Sequence, residues 1–461
     1  MMQRLNMPPL RLSYTELVTS IGRPTEPRGR GRRGTAPAGR RRRIPAVALC
    51  AAVVLAACSD GDESADTTPS TSTTVAPTTT VRVDDGQFVV GLVVPRAGAA
   101  AEIGTAVEAA VQLAVTQVND AGGVNGQTVR LETRDEGDNT ATAVVAVQEL
   151  VQAGVDVIIG PTSSPDTLAT LGIAVNAGVL TCSPTASALA LDEYPDNDLF
   201  IRTVPSDSLQ AVGIAEVVDD VGGSRTALVY LDDPYGRPFA AAVERALAGK
   251  GIALSASAGI GTDEDSLSDV VDVVGASDAD VVVVIADAAT GSAVITAIDE
   301  GVAFPRPTFV VNDALRRPEV LGQPFDDDLA GRVEGISPLA HADDPAFTAD
   351  LLTVDRAATT LYAHNGYDCM ALIALAARDA GSNNSAVIAT AVNRMSNGGS
   401  SCRSFPVCIA LYEAGRNIDY DGPSGEMSVG PTGDLDTAVF EKFVFDEGRD
   451  TTVRTFVVGS D

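Results

Sequence analysis

Two sets of short polar loops hold the side chains of this 461-residue chain that could do chemistry. The first set is rich in hydroxyls: Gly160-Pro161-Thr162-Ser163-Ser164 and Ser183-Pro184-Thr185-Ala186-Ser187, preceded by Pro95-Arg96-Ala97-Gly98. The second is rich in carboxylates and includes one tyrosine: Asp232-Asp233-Pro234-Tyr235-Gly236, Asp287-Ala288-Ala289-Thr290, and Asn312-Asp313. Hydroxyls beside open N–H groups at helix N-termini suit a carboxylate. Carboxylates with a phenol suit an ammonium. Together the two sets match a zwitterion such as an amino acid. A lone Ser, Thr or Asp at a strand-to-helix junction is ordinarily just an N-cap, so the reading rests on both sets lying at the same edge of two sheets. Other chemistries are poorly served. Neither Ser163 nor Ser164 sits in a Gly-x-Ser-x-Gly elbow, and only His341 and His364 could serve as imidazole bases, so a hydrolase, and enzyme activity altogether, is not expected. The two histidines stand apart from each other and from any cysteine pair, so no metal or other cofactor is expected.

The segments that must position these loops alternate between strand and helix. Phe88 to Val94, Val129 to Glu132, Val155 to Gly160 and Val179 to Cys182 read as strands, the apolar runs among them suiting buried parallel strands. Between them, Ile103, Val107, Ala110, Val111, Ala114 and Val118 form one helical stripe, and Thr140 to Ala153 and Thr167 to Ala177 also read as helices. The pattern βαβαβαβ is that of a doubly wound sheet. After an interruption at Pro205 and Asp207 it restarts. Ala227 to Leu231, Ile252 to Ser255, Val281 to Ile285 and Thr308 to Val311 are strands, with Phe239 to Ala248 the first of the helices between them. Two α/β units of similar size predict two similar lobes. Ligands of such sheets bind beyond the carboxyl ends of the strands, which is where the polar loops fall.

Ahead of these lobes lies a leader. Arg40 to Arg43 precede Ile44 to Ala57, 14 residues without charge, too short to span a membrane. The run ends in Leu55-Ala56-Ala57-Cys58, which resembles a bacterial lipobox. The resemblance implies a lipidated Cys58 as the mature N-terminus and a lipid-anchored protein on the extracytoplasmic face of the cell membrane. Residues 59–86, dominated by Thr, Ser, Asp and Pro, read as a disordered tether. Without residues 1–57 the chain holds 21 basic and 60 acidic residues, a net charge of −39. A surface so acidic excludes nucleic acid as a partner. Four cysteines remain in an oxidising compartment. Cys402 and Cys408, flanking a Ser-Phe-Pro turn, are the first expected disulfide, and Cys182 with Cys369 the second.

Several pieces in this order resemble the type I periplasmic-binding proteins, and among them the branched-chain amino-acid-binding subunits of ABC transporters. They are Ile158-Ile159-Gly160-Pro161 with Ser163-Ser164, Ser183-Pro184-Thr185, Asp233-Pro234-Tyr235-Gly236, Asn119-Asp120-Ala121-Gly122-Gly123, Phe200-Ile201-Arg202 with Pro205-Ser206-Asp207, Gly366-Tyr367-Asp368, and Asp421-Gly422-Pro423-Ser424-Gly425 with Gly433-Asp434. The resemblance implies an α/β fold of two Rossmann-like lobes joined by three crossings. The N-terminal lobe would take residues 87–205 and 337–433, the C-terminal lobe 206–336 and 434–461. It further implies a monomer that binds an amino acid, branched-chain-like, or a related small amide in the cleft and delivers it to an ABC permease. A lipid-anchored ligand sensor signalling to a membrane receptor is the alternative on the same fold. By similarity Ser163, Ser164, Ser183 and Thr185 would hold the ligand's carboxylate, and Tyr235 would lie over the ligand from the other lobe. The ammonium partner falls at Asp313, with Asn312 second. Two departures stand out: Pro184 has no N–H to donate, and Arg96 sits where the family has a small or apolar residue, facing either solvent or a second carboxylate on the ligand.

Overall fold

The computed structural model describes residues 84–459 apart from 99, 262–263, 303–304, 317–324, 343 and 447–448. The leader, Cys58 and the segment up to residue 83 lie outside the described residues.

In the first lobe, β1 (Val89–Val94), β2 (Arg130–Asp135), β3 (Val157–Ile159), β4 (Leu180–Ser183) and β5 (Phe200–Arg202) form a parallel sheet in the order β2-β1-β3-β4-β5. Helices α1 (Ala101–Asp120), α2 (Thr140–Ala153) and α3 (Ser164–Asn176) link its first four strands. β1, β3 and β4 are wholly buried, which is why β1 and β3 read as unbroken apolar runs.

After β5 the chain passes to a second layer. There α4 (Asp207–Asp220), β6 (Thr226–Leu231), α5 (Gly236–Gly249), β7 (Leu254–Ile260), α6 (Glu264–Ala276), β8 (Val281–Ile285), α7 (Ala288–Gly301) and β9 (Thr308–Val311) follow in sequence. A 3₁₀ turn at Asp313–Arg316, the short α8 (Asp327–Ala330) and β10 (Val333–Pro338) complete this pass. The chain then returns to the first lobe through α9 (Pro345–Val354), α10 (Ala363–Ala380), α11 (Ser385–Met395), β11 (Ser400–Cys402), α12 (Phe405–Glu413) and β12 (Ile418–Tyr420). A last crossing adds β13 (Ser428–Val429), β14 (Leu435–Asp446) and β15 (Arg449–Gly459) to the second sheet, whose order is β13-β14-β10-β9-β8-β6-β7 with β15 on β14. Two doubly wound lobes are therefore joined by three crossings. The second sheet keeps the chain to Pro338 and takes it up again at Ser428, so the crossings fall a few residues from the expected 336/337 and 433/434 boundaries.

Helix α10 ties the crossings to the first lobe. It is apolar on nearly every side and buried from Ala363 to Ala377, packed on α1. At its start, the Asn365 side-chain amide donates to Thr203 O at 2.7 Å and the Thr203 hydroxyl donates to Asn365 O at 2.8 Å, clamping the first crossing. Cys369, midway along it, is bonded to Cys182 at the end of β4, with Cα atoms 5.9 Å apart. Cys402 and Cys408 are bonded across 5.3 Å. Both pairings expected from the sequence are present. Among the described residues no helix is long and apolar enough to cross a membrane, and no group of His, Cys, Asp and Glu is arranged to hold a metal ion.

Candidate functional site

The first-lobe loops stand at the carboxyl ends of β2, β3 and β4. Gly160 closes β3 at φ +92°, where a Cβ would lie 2.0 Å from Val93 O, so only glycine admits this approach of loop and strand. The next residues open α3. Ser163 caps it: its hydroxyl accepts from Asp166 N at 3.2 Å and donates to the Asp166 carboxylate at 2.7 Å. The anion position at this helix start is already filled by the protein itself. Glu136, 2% exposed at the end of β2, accepts from Thr162 N at 2.9 Å, the Thr162 hydroxyl at 2.8 Å and Ser163 N at 3.1 Å. Burial outweighs those bonds and pushes its carboxyl up to about 7.

The remaining hydroxyls of this set point inward to different degrees. Ser183 is fully buried, donating to Pro161 O at 2.8 Å and accepting from Ala186 N at 3.1 Å. Its side chain ties the loop after β4 to the loop after β3. Thr185 donates to Thr162 O at 2.6 Å and likewise joins the two loops. Ser164 accepts from Ala188 N at 3.2 Å, which leaves its proton for another acceptor. Arg202, 0% exposed, locks the loop after β4 from beneath. Its guanidinium donates to Ala186 O and Ala188 O, both at 3.3 Å, and is ion-paired with Asp192 and, at 2.7 Å, with Asp434. Arg96 turns away to Glu108 at 2.7 Å with its side chain 47% exposed, so it reads no ligand carboxylate here.

The second lobe supplies the opposite wall. Asp287 caps α7, accepting from Ala289 N and Thr290 N, and Asp233 holds the turn before α5, accepting from Tyr235 N and Gly236 N. Tyr235, set at the start of α5, is half-buried, and its hydroxyl accepts from the Asn312 side-chain amide at 3.4 Å. Asn312 is fully buried and its amide oxygen accepts from Ala286 N at 3.2 Å, so it orients Tyr235 from within the protein. Asp313, just beyond β9, accepts from the Gln210 amide at 3.0 Å.

Beside Asp313 lies a residue that sequence reasoning treated only as an interruption and a piece of the family pattern. Asp207, at the first turn of α4, is 1% exposed, and one of its carboxylate oxygens has no hydrogen-bond partner. Its backbone N–H donates to Ser187 O at 2.9 Å and its carboxyl meets the Ser187 hydroxyl. Burial, and next the Asp313 charge, hold that carboxyl well above the usual range. The same two acids and burial keep the Tyr235 phenol protonated. Ser187 comes from the first lobe, and Asp207, Tyr235, Asn312 and Asp313 from the second. An ammonium would satisfy the orphan oxygen and relieve the repulsion between the two acids.

A second residue missed in the sequence is Tyr362, ahead of α10. It holds φ 54°, ψ 14°, a left-handed conformation that is costly for an aromatic residue. With Asp313 it lines a cavity of about 170 Å³ between the lobes. Nothing in the one-dimensional pattern marks such a residue.

Residues 87–433 match the family model described as periplasmic binding protein. The chain belongs to that family. Among curated relatives, the Leu/Ile/Val-binding protein BraC3 of Rhizobium johnstonii is 30% identical over 183 residues, 40% of this chain and 50% of the relative. The chain thus spans about half the length of that relative. The chemotactic signal transduction system substrate-binding protein BasB of Halobacterium salinarum is 28% identical over 352 residues, 69% of this chain and 77% of its own. Among solved structures, an ABC transporter substrate-binding protein of Desulfitobacterium hafniense in complex with Leu superposes with a TM-score of 0.61 at 19% identity, covering 80% of this chain and 100% of that one. That likeness shows the shared fold. These relatives are solute-binding proteins and not enzymes.

Proposed function

We propose that this periplasmic binding protein captures a small amine-bearing solute, an amino acid or a related small amide, between its lobes and delivers it to an ABC permease. The observation that carries the reading is the Asp207–Asp313 pair, with its orphan buried oxygen, set beside Tyr235 and Ser187 where the two lobes meet. The names of the relatives, Leu/Ile/Val-binding and ABC transporter substrate-binding proteins, support the same class. The leader ending in Leu55-Ala56-Ala57-Cys58 supports a lipid anchor at Cys58, with the protein held as a monomer on the extracytoplasmic face. Calorimetry of the purified chain against the common amino acids and their amides tests the reading. A solute at 100 times its Kd is expected to add about 2.7 kcal/mol of stability. Absence of binding across that panel would sink the amino-acid reading. Cys58→Ser is expected to move the protein from the membrane fraction to the soluble one.

A further inference from the structure

The start of α10 grips all three crossings. The His364 ring donates through Nε2 to Leu339 O at 2.8 Å, on the crossing after β10. The Asn365 side-chain amide donates to Thr203 O at 2.7 Å, on the crossing after β5. Asp368, one turn further along, accepts from Ser424 N at 3.2 Å, on the crossing before β13. A small cavity of about 10 Å³ lies at this meeting point, lined by Thr203, Leu339 and Ser424 together with His364 and Asn365.

His364 and Asn365 are 0% and 3% exposed, and each keeps one polar atom without a hydrogen-bond partner, Nδ1 of the first and Oδ1 of the second. Both atoms are acceptors. Nε2 must carry the ring proton to meet the Leu339 carbonyl, and burial pushes the imidazole down to about 3, so Nδ1 is bare at neutral pH. The Asn365 amide nitrogen is committed to the Thr203 carbonyl, which fixes the amide and leaves its oxygen over. The Thr203 hydroxyl does not reach that oxygen, because it donates to the Asn365 backbone carbonyl. Buried acceptors left unpaired are costly, and native proteins satisfy nearly all of them with protein groups or ordered water.

A single water needs about 10–15 Å³ and at least two polar partners. The cavity and its two acceptors meet both needs, and the exposed Glu426 on its wall gives water a way in. The chemistry also fits, two O–H donors for two acceptors. We infer that one water molecule is held at the pivot of the two lobes, donating one proton to His364 Nδ1 and the other to Asn365 Oδ1. A bond through water is nearly as good as a direct one, and it adjusts as the crossings shift, where a side chain filling the same space would favour one angle between the lobes. The assignment does not depend on the identity of the solute.

The chain has two histidines, His341 and His364, so histidine-selective NMR on the purified chain tests the inference, with His341→Gln assigning the two rings. For His364 the expected signature is a neutral ring protonated at Nε2, with an Nδ1 resonance shifted toward that of a hydrogen-bonded acceptor and a cross-peak between the Cε1 proton and bound water. Ala438, 3% exposed, lines the same cavity. Ala438→Val fills the space and is expected to abolish the water cross-peak while leaving the His341 signals in place. Absence of the cross-peak in the wild type, an Nδ1 resonance of an unbonded acceptor, or a cross-peak that survives Ala438→Val overturns the inference. A high-resolution crystal structure gives an independent reading, which also decides the matter if Ala438→Val does not fold. One ordered water within hydrogen-bond distance of both atoms supports the site, and a dry cavity or a water reaching only one of them overturns it.

Discussion

Asp207 and Asp313 differ in what they can afford to lose. Asp313 is partly exposed and bonded to Gln210, whereas Asp207 is sealed in, its carboxyl held well above the usual range by burial and by its neighbour's charge. Asp313→Ala should keep the fold, read by circular dichroism, and weaken amine binding at least about tenfold, because a charge-assisted hydrogen bond contributes about 1.5–3 kcal/mol. Asp313→Asn should be milder, since shape and one acceptor survive. Asp207→Asn removes a charge that burial and Asp313 both disfavour. Its unfolding midpoint should match or exceed wild type while amine affinity falls. The pair also sets a pH dependence. A cation favours the charged form of Asp207, and forming that charge releases a proton. Amine affinity should therefore rise with pH toward the lifted pKa, with proton release visible as a dependence of binding enthalpy on buffer. The groups facing Asp207 are Asp313, Ser187, Arg202 and Asp192, of which only Arg202 opposes the lift by its charge.

Among the elements, the junction of β2 and α3 holds a similar tension. Glu136 sits at about 7, above its ordinary 4.5, so the folded chain binds this proton more tightly than the unfolded chain does. The stability it contributes is complete below about pH 4.5 and is lost as pH rises through about 7. Unfolding midpoints should decline across that window, and Glu136→Gln should flatten part of the decline. Asp368 on α10, also pushed up to about 7, adds to the same slope. Arg202→Met should cost roughly 3 kcal/mol or more, because Asp192 and Asp434 would lose their buried counter-charge. It should also weaken solute binding by loosening the loop after β4.

Legibility followed burial. β8 and β9 occupy the same residues that their apolar runs marked, Val281–Ile285 and Thr308–Val311, since strands covered on both faces announce themselves. β5 is three residues long and gives no period. In the β14–β15 hairpin, β14 alternates buried and more exposed residues while β15 is mostly exposed, and amid Thr, Asp and Arg both went unread as strands. In the site, Tyr235, Asn312 and Asp313 were readable as residues at strand ends. The direction of the Ser183 hydroxyl was not, because the neighbouring loop that accepts its proton is 22 residues away in the chain. An aspartate at a helix start, such as Asp207, reads as a cap until its burial is known.

For the molecule as a whole, the three crossings meet around the start of α10. There His364 donates through Nε2 to Leu339 O at 2.8 Å, and Tyr362 N donates to Ala340 O at 2.9 Å. Burial pushes the His364 imidazole down to about 3, so this histidine stays neutral in the physiological range. The bond between Cys182 and Cys369 closes a span of 187 residues that includes β5 to β10, the greater part of the second lobe. Chain-entropy reasoning gives it about 5 kcal/mol, model-dependent, against about 2 kcal/mol for the short Cys402–Cys408 loop. Replacing both members of the long pair by serine should lower stability far more than replacing both members of the short one, read by denaturant unfolding.

That long covalent loop has a consequence for the chain under proteolysis. A single cut anywhere between the bonded cysteines divides the polypeptide but does not part it. The nicked protein should run at its intact mass on a denaturing gel without reductant and fall into two fragments once reductant is added. A cut after Cys369 or before Cys182 should release a fragment under either condition, except inside the six-residue Cys402–Cys408 loop. Limited digestion on paired gels would thus tell whether the first cut falls inside or outside that covalent loop.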